Sequence, residues 1–118
     1  MTREDFKART KAYALRIIKV DDSLPRDRTA QTLGHQLLRS GTSTAANYRA
    51  AVRAKSLADF IAKMGIVEEE CDESLFWMEL LIEAGGLKPD RVADLIKEGG
   101  EILAITVSSI KTARRGRS

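Results

Sequence analysis

An all-α protein, folded as an antiparallel up-down-up-down four-helix bundle, is what this 118-residue sequence predicts. Two observations carry that expectation. Apolar residues recur at three- and four-residue steps over four long stretches, and no stretch alternates as a strand would. The turn formers that interrupt the pattern leave short connections near residues 22–25 and 85–89, and short connections make consecutive helices antiparallel neighbours.

The first helix opens at Thr2, an N-cap with Asp5 three residues on. Phe6, Thr10, Tyr13, Ile17 and Val20 form its apolar face, with Ala14 and Ile18 beside them, and Asp21-Asp22-Ser23 with Pro25 ends it. The second runs from about Arg26 to Lys55. Leu33, Leu37, Gly41, Thr44 and Tyr48 make its stripe, widened by Leu38, Ala45 and Val52. Its middle, residues 40–46, consists of small side chains of mediocre helix propensity. Such a stretch is either a helix held by close packing or a loop that splits the segment in two.

The third helix opens at Ser56, again with an acid, Asp59, at the capping-box position. Leu57, Phe60, Met64, Val67, Cys71, Leu75, Met78 and Leu81 trace its stripe, Ile61, Trp77, Leu80 and Ala84 broaden it, and Gly85-Gly86 stops it. The junction before it lacks glycine and proline, which predicts a tight bend at residues 54–56. Pro89 sits in the first turn of the fourth helix, beside Asp90. Val92, Leu95, Ile96, Ile102, Leu103, Thr106 and Ile110 give its face, and Gly99-Gly100 weakens its centre by about 1 kcal/mol per glycine. Residues 112–118 show no periodicity. The expected organisation is one domain over 1–113 and a basic flexible tail over 114–118.

A hydrophobic fraction of 43% and a charged fraction of 31% suit a globular chain. No apolar run approaches the ~20 residues of a membrane span. The single cysteine, Cys71, forms no internal disulfide, and the charged N-terminus lacks a signal-peptide core; both predict a cytoplasmic protein. The charges are segregated. Residues 1–55 hold 12 Lys/Arg against 5 Asp/Glu, residues 56–105 hold 4 against 12, and Lys111, Arg114, Arg115 and Arg117 close the chain with no acid. Such segregation serves subunit contacts or a phosphate-binding face, or is simply that of solvated helix faces.

Catalytic signatures are missing. A di-metal bundle site needs Glu-x-x-His on two helices, whereas the one histidine, His35, has Thr32 three residues before it. Cys71 lies on the apolar stripe, so a buried inert thiol is expected. Ser40, Ser43 and Thr44 have no base at helical spacing, and residues 41–43 lack the phosphate-loop pattern. No cofactor or metal is predicted, and the chain reads as a binding protein rather than an enzyme. Glu70, Glu73 and Trp77 fall along one edge of the third helix, facing Arg39, Asn47 and Arg49 on the second. A Glu–Arg or Glu–Asn contact there would fix helix register; solvated carboxylates and rim arginines are the alternative.

The run Gln36-Leu37-Leu38-Arg39-Ser40-Gly41-Thr42-Ser43-Thr44-Ala45-Ala46-Asn47, followed by Ser56-Leu57-Ala58-Asp59-Phe60, resembles the four helix bundle protein family, also called the 23S rRNA intervening-sequence protein or S23 family. Its members read Q-L-x-R-S-x-T-S-I-x-A-N and then S-x-x-[ED]-F. Residues 66–81, with Glu70, Glu73 and Phe76-Trp77, resemble the family's I-A-x-K-E-A-x-E-T-x-Y-W-L-x-L-L. The departures are Ala50 for a frequent Glu, Glu69 for Lys, and Ala45 near a usual Ile or Pro. The resemblance implies the bundle fold and a homo-oligomer, a pentameric ring being expected. It also implies kinship with the accessory variability determinant of diversity-generating retroelements, which partners a reverse transcriptase and binds nucleic acid.

Two functions follow as expectations. One is an oligomer that binds RNA or DNA through Arg49, Arg53, Lys55, Lys111, Arg114, Arg115 and Arg117, electrostatically and with little sequence preference, because aromatics are only 5% of the chain. The other is an oligomeric adaptor for a protein partner such as a reverse transcriptase.

Overall fold

A computed structural model of the chain describes residues 1–117, the side chain of Arg117 excepted. Its four helices are α1 (Arg3–Asp22), α2 (Arg28–Val52), α3 (Leu57–Glu83) and α4 (Pro89–Arg117), and they form an antiparallel four-helix bundle. α2 and α3 share the broadest interface, α1 and α4 the narrowest.

Local chemistry sets the boundaries. Thr2 and Asp5 complete a reciprocal capping box, each side chain accepting the other's backbone N–H at 3.0 Å. Asp27 caps α2 through the Ala30 N–H. At Ser56 only half the box forms: the serine accepts the Asp59 N–H, whereas the Asp59 carboxylate takes the N–H of Lys55 and the Lys63 ammonium. α3 ends in a Schellman turn, with Gly85 at φ 82° and the Gly86 and Gly85 N–H groups donating to Leu81 and Ile82. The bend before α3 lies at residues 53–56, where Ala54 N–H donates to Ala51.

The small-residue stretch of α2 is continuous helix, so the loop alternative is excluded. Packing holds it: Gly41 faces Ile17 of α1 so closely that a Cβ would collide with the isoleucine. Ser40, Thr42 and Thr44 bond their hydroxyls to carbonyls of their own helix, so burying them leaves no polar atom without a partner.

The core follows the predicted stripes with shifts of one position. Phe6, Tyr13, Ile17, Leu37, Tyr48, Met64, Val67, Cys71, Met78, Leu81, Val92, Leu95, Ile102 and Ile110 are buried together. Ser74 rather than Leu75 is the fully buried residue of that α3 turn, and Leu57, Ile18 and Ala84 are exposed. α4 corrects the expected tail: residues 112–117 are helix. Arginine and lysine are good helix formers, and cations at a helix C-terminus are favoured by the dipole, so absence of periodicity did not mean absence of helix. Ala113 packs on the core edge.

Candidate nucleic-acid interface

Antiparallel topology decides which charges meet. The starts of α1 and α3 share one end of the bundle with the finishes of α2 and α4. Phe6 packs edge-on against Tyr48 at 4.7 Å, and the Arg3 guanidinium lies 4.8 Å over the Phe60 ring, which ties three of these helices together. The fourth joins through a groove of about 540 Å³ lined by Arg3, Tyr48, Leu57, Phe60, Ala104, Ile105, Ser108, Ser109, Thr112 and Ala113.

Around this end stand Arg3 and Lys7 of α1, Arg49 and Arg53 of α2, Lys55 of the connection, and Lys111, Arg114 and Arg115 of α4. The structure thus places Arg49, Arg53, Lys55, Lys111, Arg114 and Arg115, singled out from sequence, at one end, and adds Arg3 and Lys7. The Arg117 side chain lies outside the described residues. Among the described residues three carboxylates share the region, each engaged: Glu4 with Lys7, Asp5 in the capping box, Asp59 with Lys63 at 2.7 Å. The Lys63 hydrogen bond, helped by the Lys55 N–H, holds the Asp59 carboxyl below its ordinary range. Among the described residues no carboxylate pairs with Arg49, Arg53, Lys111 or Arg114, while Lys55 stands beside the Asp59 carboxylate. The opposite end mixes Asp22, Asp27, Glu83 and Asp90 with Lys19, Arg26, Arg28 and Lys88.

Helix length opens the groove. α4 has 29 residues and α1 only 20, so α1 runs out at Arg3 while α4 continues. Burial of the Tyr48 ring raises its phenol above the ordinary value, so the group stays a protonated donor. Its hydroxyl makes no hydrogen bond among the described residues, though the charges of Arg3 and Glu4 act on it.

Arg39 does reach the α3 carboxylates, in a contact nearer to the rim-arginine alternative than to a buried pair. Its guanidinium donates to Glu70 at 2.9 Å and to Glu73 at 3.1 Å, joining α2 to α3. With 44% of the Arg39 side chain exposed, it is a surface pair of small worth. Asn47 stands outside this contact: its amide bonds the carbonyl and hydroxyl of Ser43 one turn back. Arg49 has no carboxylate of α3 beside it and belongs with the basic end. Trp77 is half-buried beside Phe76, their rings 5.1 Å apart, with its indole N–H buried and without an acceptor. Sequence reasoning missed a second interhelical pair, Arg9 with Glu98 at 2.6 Å and Glu101 at 3.3 Å, which spans the narrow α1–α4 seam. Eighty-nine residues separate Arg9 from Glu98, and no local pattern joins them.

The Cys71 thiol is buried, donates to the Gly99 carbonyl, and is pushed up to about 12 by burial, which leaves it protonated and inert. Among the described residues no group of three or more His, Cys, Asp or Glu could hold a metal, and no helix is long and apolar enough to cross a membrane.

The sequence profile of the 23S rRNA-intervening sequence protein family matches residues 4–108. The chain belongs to this family. Its fold is also that of a crystal structure from Bacteroides thetaiotaomicron, a protein of unknown function from the S23 ribosomal protein family, with 33% identity and a TM-score of 0.87 over 94% of this chain and 99% of that one. None of the curated proteins matches the sequence. The family assignment and the bundle agree with what residues 36–60 and 66–81 imply.

Proposed function

We propose that this protein binds nucleic acid, without catalysis, by laying phosphates across the basic end of the bundle. The observation that carries the reading is the gathering of Arg49, Arg53, Lys55, Lys111 and Arg114, from parts of the chain far apart in sequence, on one end, where among the described residues no carboxylate pairs with Arg49, Arg53, Lys111 or Arg114. Unpaired cations at a rim release counterions when phosphates arrive, and that release drives sequence-independent binding. The family's name, which refers to an insertion within ribosomal RNA, favours RNA as the natural ligand and the cytoplasm as the place.

Self-association supports the same function, since copies side by side would multiply a weak basic patch into one of high valency. In favour of it, Ile66 and Phe76 stand 42% and 50% exposed on the outer side of α3, large apolar groups that a neighbouring copy would cover. A ring of such copies is the assembly we propose, with a mass in solution several times 13.1 kDa.

A salt titration of RNA binding tests the reading. Affinity should fall steeply between ~50 and ~200 mM salt, and the combined Arg53→Gln, Lys111→Gln and Arg114→Gln variant should flatten the log–log slope while keeping its helical spectrum. Arg39→Gln should leave the slope unchanged. Salt-independent binding, or none to RNA or DNA at low salt, would leave a protein adaptor as the better account.

A further inference from the structure

The groove at the basic end carries more than charge. Thr10, Ser40, Thr42, Thr44 and Thr106 all return their hydroxyls to carbonyls of their own helices. Ser108, Ser109 and Thr112, which line the groove from α4, do not, and have no other partner among the described residues. Donors and acceptors on one stretch of helix are therefore left open on a surface that also holds the open Tyr48 hydroxyl. The Arg3 guanidinium lies 4.8 Å over the Phe60 ring, and Arg3 is exposed, so the group is within reach of a ligand. An exposed guanidinium offers a plane on which an unpaired base stacks, and hydroxyls beside it read a base edge.

We infer that the groove between the end of α4 and the start of α1 seats one unpaired nucleotide of a single strand, its base against Arg3 and its phosphates on Lys111 and neighbouring cations. The inference rests on the nucleic-acid reading and narrows it from phosphate to nucleotide. Charge selects the occupant: a largely apolar groove that holds Arg3, at the end of the bundle where Lys111 also stands, suits a ligand that is flat and apolar in one part and anionic in the next. A helical peptide would suit it less, because the floor of Leu57, Ile105 and Ala113 is interrupted by hydroxyls where a helix groove needs a continuous apolar stripe.

Duplex and single strand separate this inference from its parent. A duplex carries one charge per ~1.7 Å, so electrostatics alone favour duplex over single strand. Fluorescence anisotropy of the full chain at low salt, with a labelled oligouridine and an RNA duplex of equal length, reads both. Ser108→Phe and Thr112→Phe fill the groove at exposed positions without altering charge, and circular dichroism reports their fold. Each should weaken single-strand binding about tenfold, the loss of one stacked base, and leave duplex binding unchanged. Single-strand affinity unchanged in both folded variants, or equal losses on both ligands, would overturn the nucleotide seat while sparing the electrostatic reading. An acidic amphipathic peptide bound by the wild-type groove in place of oligouridine would overturn it too, and no binding to either RNA would overturn both.

Discussion

Two places in this bundle are made of the same materials and put them to opposite use. At mid-height, Tyr13 of α1 crosses the core, its hydroxyl 2.8 Å from that of Ser74, which in turn donates to the Cys71 carbonyl at 2.6 Å. Gly99 of α4 makes room: a Cβ there would stand 2.6 Å from the Tyr13 oxygen and 2.7 Å from a Leu75 methyl. At the basic end, Tyr48, Ala104, Ser108 and Ser109 again combine a phenol with small side chains and hydroxyls, yet they border open space. Small residues draw helices together only where another helix lies opposite. α1 supplies that partner at Tyr13 and has run out by Arg3, so the same composition packs in one place and leaves a groove in the other.

Paired substitutions test the contrast, and the first has the largest effect. Gly99→Val should destabilise by about 1–3 kcal/mol net, overpacking outweighing the propensity gained by losing glycine. Ala104→Val, which points the same branched side chain at the groove, should stay within about 0.5 kcal/mol in a denaturant titration. Equal losses would mean the groove is packed as tightly as the core.

A smaller difference separates the two phenols. Tyr13→Phe removes a buried hydrogen bond and should cost about 1 kcal/mol, while Tyr48→Phe removes a hydroxyl with no partner and should cost nothing measurable. A costly Tyr48→Phe would place its hydroxyl in a bond of its own and weaken the case for an open donor.

How much of this was legible beforehand follows from the range of each interaction. Helix faces, the capping residues Thr2, Asp5 and Ser56 and the Gly85 stop are local, and residues 40–46 lie in the family's own sequence pattern. The basic end was half-visible: Arg49, Arg53, Lys55 and Lys111 stood out by charge, but only topology places residue 3 against 60 and residue 48 near 112. Asn47 misled because its turn-long bond to Ser43 competes with any partner across the interface. The groove itself depends on a difference in helix lengths, and the periodicity gave neither the extent of α4 nor the end of α2, which stops at Val52 rather than Lys55.

The α1–α4 seam yields the smallest predicted effect. The Arg9 hydrogen bonds hold the Glu98 carboxyl below its ordinary value near 4.5. A carboxyl depressed on folding adds stability above its unfolded pKa, and that stability is lost as pH falls through the folded value. Melting temperature should therefore fall on acidification below about pH 4.5, and less so in Arg9→Met. The same acid sensitivity in both proteins would mean that the seam pair is too solvated to matter.

The central claim is that one end of the bundle meets nucleic acid and the other does not, and lysine footprinting reads it directly. Modification by an amine-reactive reagent, with and without saturating RNA, compares Lys55 and Lys111 at the basic end with Lys19 and Lys88 at the mixed end. The account predicts that RNA protects Lys55 and Lys111 and leaves Lys19 and Lys88 as reactive as before. Protection of Lys19 and Lys88, or unchanged reactivity of Lys55 and Lys111 while RNA is bound, would contradict it.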